Sequence, residues 1–347
     1  MYYKHIIRLG LCSMAIAGMA ACSKELDLPN VSGEKKIALI GEFVAGDSFY
    51  LRAGQSVAMK SGSGLRFQLL NGLQMTLQDS NGSFINIYGY NDTFSQRMYT
   101  LPFSSSQSAK HGNVYVITAT HPDLGTASAK VSIPSPIDAL VTDTVTGLYN
   151  TERVLKVKVM LKDNGTTTDY YVIEALKQKM NVTGYFMNNG AWQKIEDNRP
   201  LYEEQKAAGT AVTKFDTAYY RDYVRQPVYT ADVNAENIND VGLFNKSRRV
   251  LLKDVRFSGS VYETDVYVTQ TADSLYDYAK GRVIVYIKSV SADYFKFLKS
   301  YETYDPAIGF TTFGQPVQIE GNVVNGMGMI GGVSQVKYTY LKDNWNY

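Results

Sequence analysis

Apolar residues along this chain fall in short runs separated by glycine, asparagine, proline and serine, which is the punctuation of a β protein. Residues 36–43 (KIALIGEF) form a compact apolar run and predict a buried first strand. Strand-like segments follow at 48–59 and 65–70. Segments 73–78 and 84–88 then flank Asp79-Ser80-Asn81-Gly82, a hairpin signal because Asn-Gly tolerates the positive φ of a tight turn. Further segments at 98–101, 114–120 and 127–133 complete a first set, which Pro134 and Pro136 close. Short strands with turns at this spacing predict an immunoglobulin-like β-sandwich over 35–136.

The second half opens on a strict alternation. Leu155, Val157, Val159 and Leu161 point one way while Lys156, Lys158 and Lys162 point the other, so this strand has one wet face. Asp163-Asn164-Gly165 turns it into a partner at 170–176. Residues 181–250 show little regularity and read as a loop-rich insertion. Within it, 200–208 has proline first and Gly209 last, the asymmetry of a short helix. Segments 249–257, 261–268 and 282–290 are strand-like. Ser291 then caps a helix whose Tyr294, Phe297, Leu298 and Tyr301 fall on one stripe, expected to be core. Val336, Tyr338 and Tyr340 alternate with Lys337 and Thr339 as a closing strand. The expectation is a mainly β protein, with a second β-rich domain at 137–347 carrying one or two short helices.

The N-terminus reads differently from all of this. Lys4 and Arg8 make a positive start, 9–17 is a short apolar run, and Gly18-Met19-Ala20-Ala21-Cys22 follows. A run this short is no permanent span, which needs about 20 apolar residues. It predicts a signal peptide over 1–21. Cys22 directly after Ala20-Ala21 makes it a lipoprotein signal, with the thiol as the site of lipidation. Several acyl chains anchor stably, whereas one gives marginal binding. Polar residues 22–34 read as a flexible tether. Lys24, Glu25 and Asp27 just after the anchor resemble the export tag of lipoproteins sent to the outer face of an outer membrane, the alternative being an ordinary solvated linker.

Composition narrows the chemistry. Without Lys4 and Arg8 the chain has as many bases as acids, so it lacks the basic footprint of a nucleic-acid binder. Of two cysteines, Cys12 leaves with the leader and Cys22 takes lipid. Disulfides, a thiolate nucleophile and cysteine-ligated zinc are thereby excluded. Tyrosine is over-used, at 27 positions against 14 Phe and 2 Trp, and being spread along the chain it reads first as sheet surface.

No motif names a reaction. His111 and His121 lie in turns without a recognisable nucleophile motif such as G-x-S-x-G. Gly326-Met327-Gly328 with Gly331-Gly332 lacks the Lys-Ser/Thr and following helix of a phosphate loop, so these glycines read as permitting close packing. Asp79-Ser80-Asn81-Gly82 lacks the later ligands of a calcium loop. A pair of acids across a cleft, as glycosidases use, leaves no sequence signature. Catalytic residues, cofactors and metal are all expected to be absent.

Several stretches together resemble one family. They are Cys22, Ile37-Ala38-Leu39-Ile40-Gly41-Glu42, the run from His111-Gly112-Asn113-Val114-Tyr115 to Ile133-Pro134-Ser135-Pro136-Ile137, and Phe313-Gly314-Gln315-Pro316-Val317 through Asn322 to Gly326-Met327-Gly328. The chain is similar here to the Bacteroidetes lipoproteins called domain of unknown function 4249, in order along nearly the whole mature chain and least closely at 181–250. The resemblance implies an outer-membrane lipoprotein facing the cell exterior, a non-enzymatic binding or accessory subunit of a TonB-dependent receptor that captures a nutrient. It lends no catalytic residue. The rival expectations are an adhesin or fimbrial subunit and, behind it, a carboxylate-dependent hydrolase.

Overall fold

The computed structural model describes residues 34–56, 67–92, 99–149, 152–236, 248–269, 281–303 and 319–341. The leader, Cys22, tether residues 23–33 and residues 313–318 of the terminal motif therefore lie outside the described residues. The protein is mainly β, as the short apolar runs require.

The first half supplies β1 (Ile37–Val44), β2 (Ser48–Gln55), β3 (Gln74–Asp79), β4 (Phe84–Ile85), β5 (Tyr88–Gly89), β6 (Leu101–Ser108), β7 (Val114–His121) and β8 (Gly125–Ser132). The second half supplies β9 (Asp138–Tyr149), β10 (Glu152–Lys162), β11 (Tyr170–Asn188), β12 (Ala191–Lys194), helix α1 (Arg199–Ala207), β13 (Thr213–Gln226), β14 (Val228–Tyr229) and β15 (Val250–Lys253). A short 3-10 turn (Asp254–Arg256), β16 (Val261–Thr269), β17 (Gly281–Val290), helix α2 (Ala292–Thr303), β18 (Val323–Val324) and β19 (Met327–Leu341) complete it.

One ten-stranded sheet runs through both halves, in the order β12-β11-β17-β19-β1-β2-β6-β5, with β13 and β15 also on β11. The join is a parallel pairing of β1 with β19, from Ala38 opposite Met327 to Val44 opposite Val333. Two smaller sheets pack side by side on one face of it. The sheet β18-β8-β7-β3-β4 closes a core of Ile37, Leu39, Phe43, Phe49, Leu51, Ile117 and Ile330, among others. The sheet β14-β16-β10-β9 closes a second core around Leu155, Val157, Val159, Leu161, Ile173, Val266 and Ile287. On the opposite face lies α2, whose Tyr294, Phe295 and Leu298 meet Val172, Val290, Met329 and Val333. Strand alternation makes this assignment consistent: Ile330 faces the first core and its neighbour Met329 faces α2.

Local chemistry explains the elements. Phe43, Phe49 and Tyr115 meet edge to face, with centroids 4.9 Å apart for Phe43–Phe49 and Phe49–Tyr115. Each such pair adds about 0.5–1.5 kcal/mol beyond burial. The buried Tyr115 hydroxyl accepts from the Lys110 backbone N–H at 2.9 Å. At the 79–82 turn the Asp79 carboxylate accepts from the backbone N–H groups of Asn81 and Ser83, both at 2.9 Å, and Gly82 takes φ +78°. β3 and β4 then pair as the hairpin signal requires. On β10 the lysines do face solvent, with Lys156 2.8 Å from Asp265 and Lys158 3.8 Å from Glu263 on β16.

Three expectations need correction. The stretch at 181–250 is not mainly loop: as far as it is described, β11 continues to Asn188, and β13 pairs with it from Phe186–Thr213 to Ala175–Gln226. These strands project with β12 as an arm, and α1 packs on it through Tyr202 against Phe186 and Ile195. The arm stayed hidden because apolar, charged and tyrosine residues are mixed on both of its faces. β9 was not anticipated, since this edge strand packs on the second core through Ala139 and Val141 near its start and is exposed at Leu140, Val145 and Leu148, too little burial to mark a period. The closing strand is fifteen residues long and includes the glycines placed before it.

Candidate functional site

The densest polar chemistry among the described residues lies between α2 and the outer face of the ten-stranded sheet. Strand alternation that buries Val172 and Val290 under α2 also puts Glu174 of β11 and Lys288 of β17 there. Glu174 is only 4% exposed and sits at the centre. It takes Lys288 Nζ at 2.7 Å, Arg249 Nε at 3.1 Å and the Arg225 guanidinium of β13. Arg249 also reaches Glu302 of α2 at 2.5 Å. Lys288 reaches Glu42 of β1 at 3.1 Å, and the Tyr294 hydroxyl donates to the same carboxylate. Three acids and three bases thus tie β1, β11, β13, β17, α2 and the entry to β15 into one network.

The network is not uniformly closed. Glu42 and Arg225 have side chains 34% and 32% exposed, and these two form its open end. Beside them Arg282 hydrogen-bonds Gln178 at 2.7 Å and lies 4.0 Å from the centre of the Tyr219 ring. Burial works against the Glu42 carboxylate, but the Lys288 ammonium and the Tyr294 hydroxyl outweigh it and hold its pKa below the usual value. Burial pushes Lys288 down against the attraction of Glu42. It drives Tyr294 well up, and the Glu42 charge adds to this. Arg225 is pushed down to about 10 by burial and by Arg249, and is still charged at neutral pH.

Because the folded pKa of Glu42 is depressed, its contribution to stability is present above the unfolded value and is lost as pH falls through the folded one. Acid titration of unfolding is therefore expected to show less acid-induced loss in Glu42→Gln than in the parent. Denaturant melts across that acid range check this, and parallel curves would reject the assignment.

A second cluster was also invisible in the sequence. Asp163, Asp169 and Asp254 each bring a carboxylate oxygen within 4.8 Å of the others. Asp163 accepts from the Tyr171 hydroxyl at 2.7 Å and from the backbone N–H groups of Gly165 at 2.9 Å and Gly259 at 2.7 Å. Asp254 accepts from the Asp169 N–H at 2.8 Å. Burial, together with the charges of Asp163 and Asp254, raises the Asp169 pKa against a hydrogen bond from Thr167. These carboxylates fasten the turn after β10 to the turn before β16.

The residues weighed from sequence lie elsewhere. His121 ends β7, with Nε2 3.1 Å from the Asn71 carbonyl and Nδ1 accepting from the Asp123 N–H at 3.2 Å. His111 sits in the turn before β7. Neither joins the carboxylates. The terminal glycines are close-packing positions, since a Cβ on Gly326 would stand 2.7 Å from the Ile37 carbonyl and one on Gly331 2.4 Å from the Tyr294 ring. What could have flagged the network is a lone charge inside an apolar strand: Glu42 in IALIGEFV, Glu174 in YYVIEAL and Lys288 in VIVYIKSV.

Fold and site together define a mainly β sandwich protein whose interior charges are paired across its elements. The chain belongs to the family described as Domain of unknown function (DUF4249), whose model matches residues 27–339. No curated protein matches. A solved structure described as "The Enterococcus faecalis MSCRAMM ACE binds its ligands by the collagen Hug Model" is similar at 12% identity over 88% of this chain and 92% of that one. Its TM-score is 0.18, and at that value the likeness carries no argument. No helix among the described residues is long and apolar enough to cross a membrane.

Proposed function

We propose that the protein is a bacterial lipoprotein of the Bacteroidetes type, anchored through Cys22 to the outer membrane and facing the cell exterior. There it serves as a non-enzymatic binding or accessory subunit of a TonB-dependent nutrient receptor. The observation that carries this reading is the leader ending in Ala20-Ala21-Cys22, just ahead of the matched region 27–339. Supporting it, the ionisable groups of the network are committed to one another, as befits a scaffold. The rival fimbrial reading needs a final strand left open for exchange between subunits. Here β19 is paired along its whole length, with β1 over its first part and β17 over the rest. The hydrolase reading needs carboxylates converging in a cleft, and the converging pair Asp163 and Asp254 is buried at 5% and 2% exposure.

Cys22→Ala is expected to abolish incorporation of labelled fatty acid and to move the protein from the membrane to the soluble fraction. Retained membrane attachment would sink the anchor. Cross-linking and pull-down of the anchored protein should recover a β-barrel receptor, and recovery of none would sink the accessory role.

A further inference from the structure

One charge beside the network is left unanswered. Alternation along β17 puts Val285 and Ile287 in the second core, so Arg282, Tyr286 and Lys288 face the other side of the sheet. Lys288 is paired there with Glu174 and Glu42, but among the described residues no carboxylate pairs with Arg282. Its guanidinium is nonetheless held in place. Nε donates to Gln178 Oε1 at 2.7 Å, Gln178 Nε2 donates to the Tyr220 carbonyl at 2.7 Å, and the Tyr219 ring centre lies 4.0 Å from the guanidinium carbon. Gln178 is 4% exposed, so this support belongs to the sheet and is not a loose surface contact. With Nε used, the two terminal nitrogens present the fork that matches a carboxylate through two parallel hydrogen bonds.

An exposed aromatic ring lies in the same row. Gln178 stands opposite Arg282 on β17 and opposite Tyr223 on β13. Two strand spacings, about 10 Å, separate the backbones of Arg282 and Tyr223, the span of one six-membered ring and its carboxylate. Tyr223 is 49% exposed. Tyr286 leans toward the same place: burial raises its hydroxyl pKa, Tyr223 adds to this, Lys288 and Arg282 oppose it, and Asp47 is the only carboxylate among these influences. We propose that Arg282 is the recognition point for a ligand carrying a carboxylate on a six-membered ring, a sugar acid or an aromatic acid. The carboxylate sits on the terminal nitrogens of Arg282 and the ring lies against Tyr223. This rests on the binding reading above and gives its ligand a chemical class. It needs no receptor, so a pull-down that recovers no β-barrel leaves the site untouched.

Calorimetric titration of the mature chain, with Cys22→Ser so that no acyl chain contributes, tests it. Glucuronate and benzoate are the acid probes, and glucose and benzamide are their uncharged counterparts. The expected result is saturable binding of at least one acid at a single site and of neither uncharged probe, the tighter acid identifying the source of the carboxylate. Arg282→Gln is expected to weaken binding roughly tenfold or more. Arg282→Lys should also weaken it roughly tenfold, because lysine keeps the charge and loses the paired hydrogen bonds. Lys130→Gln, which removes an exposed charge on β8, should leave binding unchanged. Circular dichroism and melting temperature verify that each variant is folded. Failure of both acids to bind overturns the proposal. So does an uncharged probe that binds as well as its acid, or a folded Arg282→Gln or Arg282→Lys that binds as the parent does.

Discussion

Glu174→Ala is expected to lower the stability of the folded protein by about 3–5 kcal/mol, the usual cost of breaking a buried ion pair by removing one partner. Glu174 accepts from Lys288, Arg249 and Arg225 at once, and all but Arg225 are buried with it. Without it, three cations converge on a space that holds no anion, and only Glu42 and Glu302 remain at the margins. At roughly 2–4 °C per kcal/mol for a chain of a few hundred residues, the melting temperature should fall by about 10 °C. Glu174→Gln keeps the shape and one acceptor oxygen, so it should lose less. Lys156, whose partner Asp265 shares an exposed sheet face, provides the contrast. Exposed ion pairs contribute little, and Lys156→Ala is expected to leave the melt unchanged. Calorimetry of the three variants beside the parent checks the set. Equal melting temperatures for Glu174→Ala and Lys156→Ala would show that the cluster is not a stabilising centre.

What the sequence disclosed and what it hid follow one physical line. Elements with one wet and one dry face were legible: β10 with its lysines, the 79–82 hairpin, and α2 with Tyr294 and Leu298 buried on its predicted stripe. The stripe and the buried face nonetheless coincide only in part: Phe295, off the stripe, is buried against the sheet, whereas Phe297 is half-buried and Tyr301, expected in the core, is exposed. β13 is exposed on both faces over 213–220, and β9 meets the second core through Ala139 and Val141 near its start, so neither left a sustained period to read. The parallel β1–β19 pairing was out of reach for a different reason. It joins the first and last strands, and nothing local in either one names its partner. The network shares that difficulty, since Glu42 and Lys288 meet across 246 positions of chain. Cys22 was the reverse case: a leader is read along the chain and needs no fold to be recognised.

The second large effect belongs to the glycines of β19. Gly332→Ala is expected to be severely destabilising, because its Cβ would stand 1.9 Å from the backbone carbonyl oxygen of Ser132. That oxygen belongs to β8, on the core face, and can yield only if a strand moves. Overpacking of this kind costs typically about 1–3 kcal/mol and sometimes more. Gly331→Ala meets a different neighbour, the Tyr294 ring, which lies against the strand with ring atoms 2.4–2.7 Å from the would-be Cβ. Tyr294 cannot swing freely because its hydroxyl is held by Glu42. Both substitutions should therefore lower the denaturant midpoint, yet they should differ in whether they can be rescued. Shortening the obstructing ring, as in Gly331→Ala with Tyr294→Leu, should recover part of the loss relative to the sum of the single changes, since contacting residues couple. No side-chain change at Ser132 should rescue Gly332→Ala, because the clash there is with backbone. Strict additivity in the first pair would mean that the ring and the strand do not press on each other. The close seating of α2 on the sheet would then need another explanation.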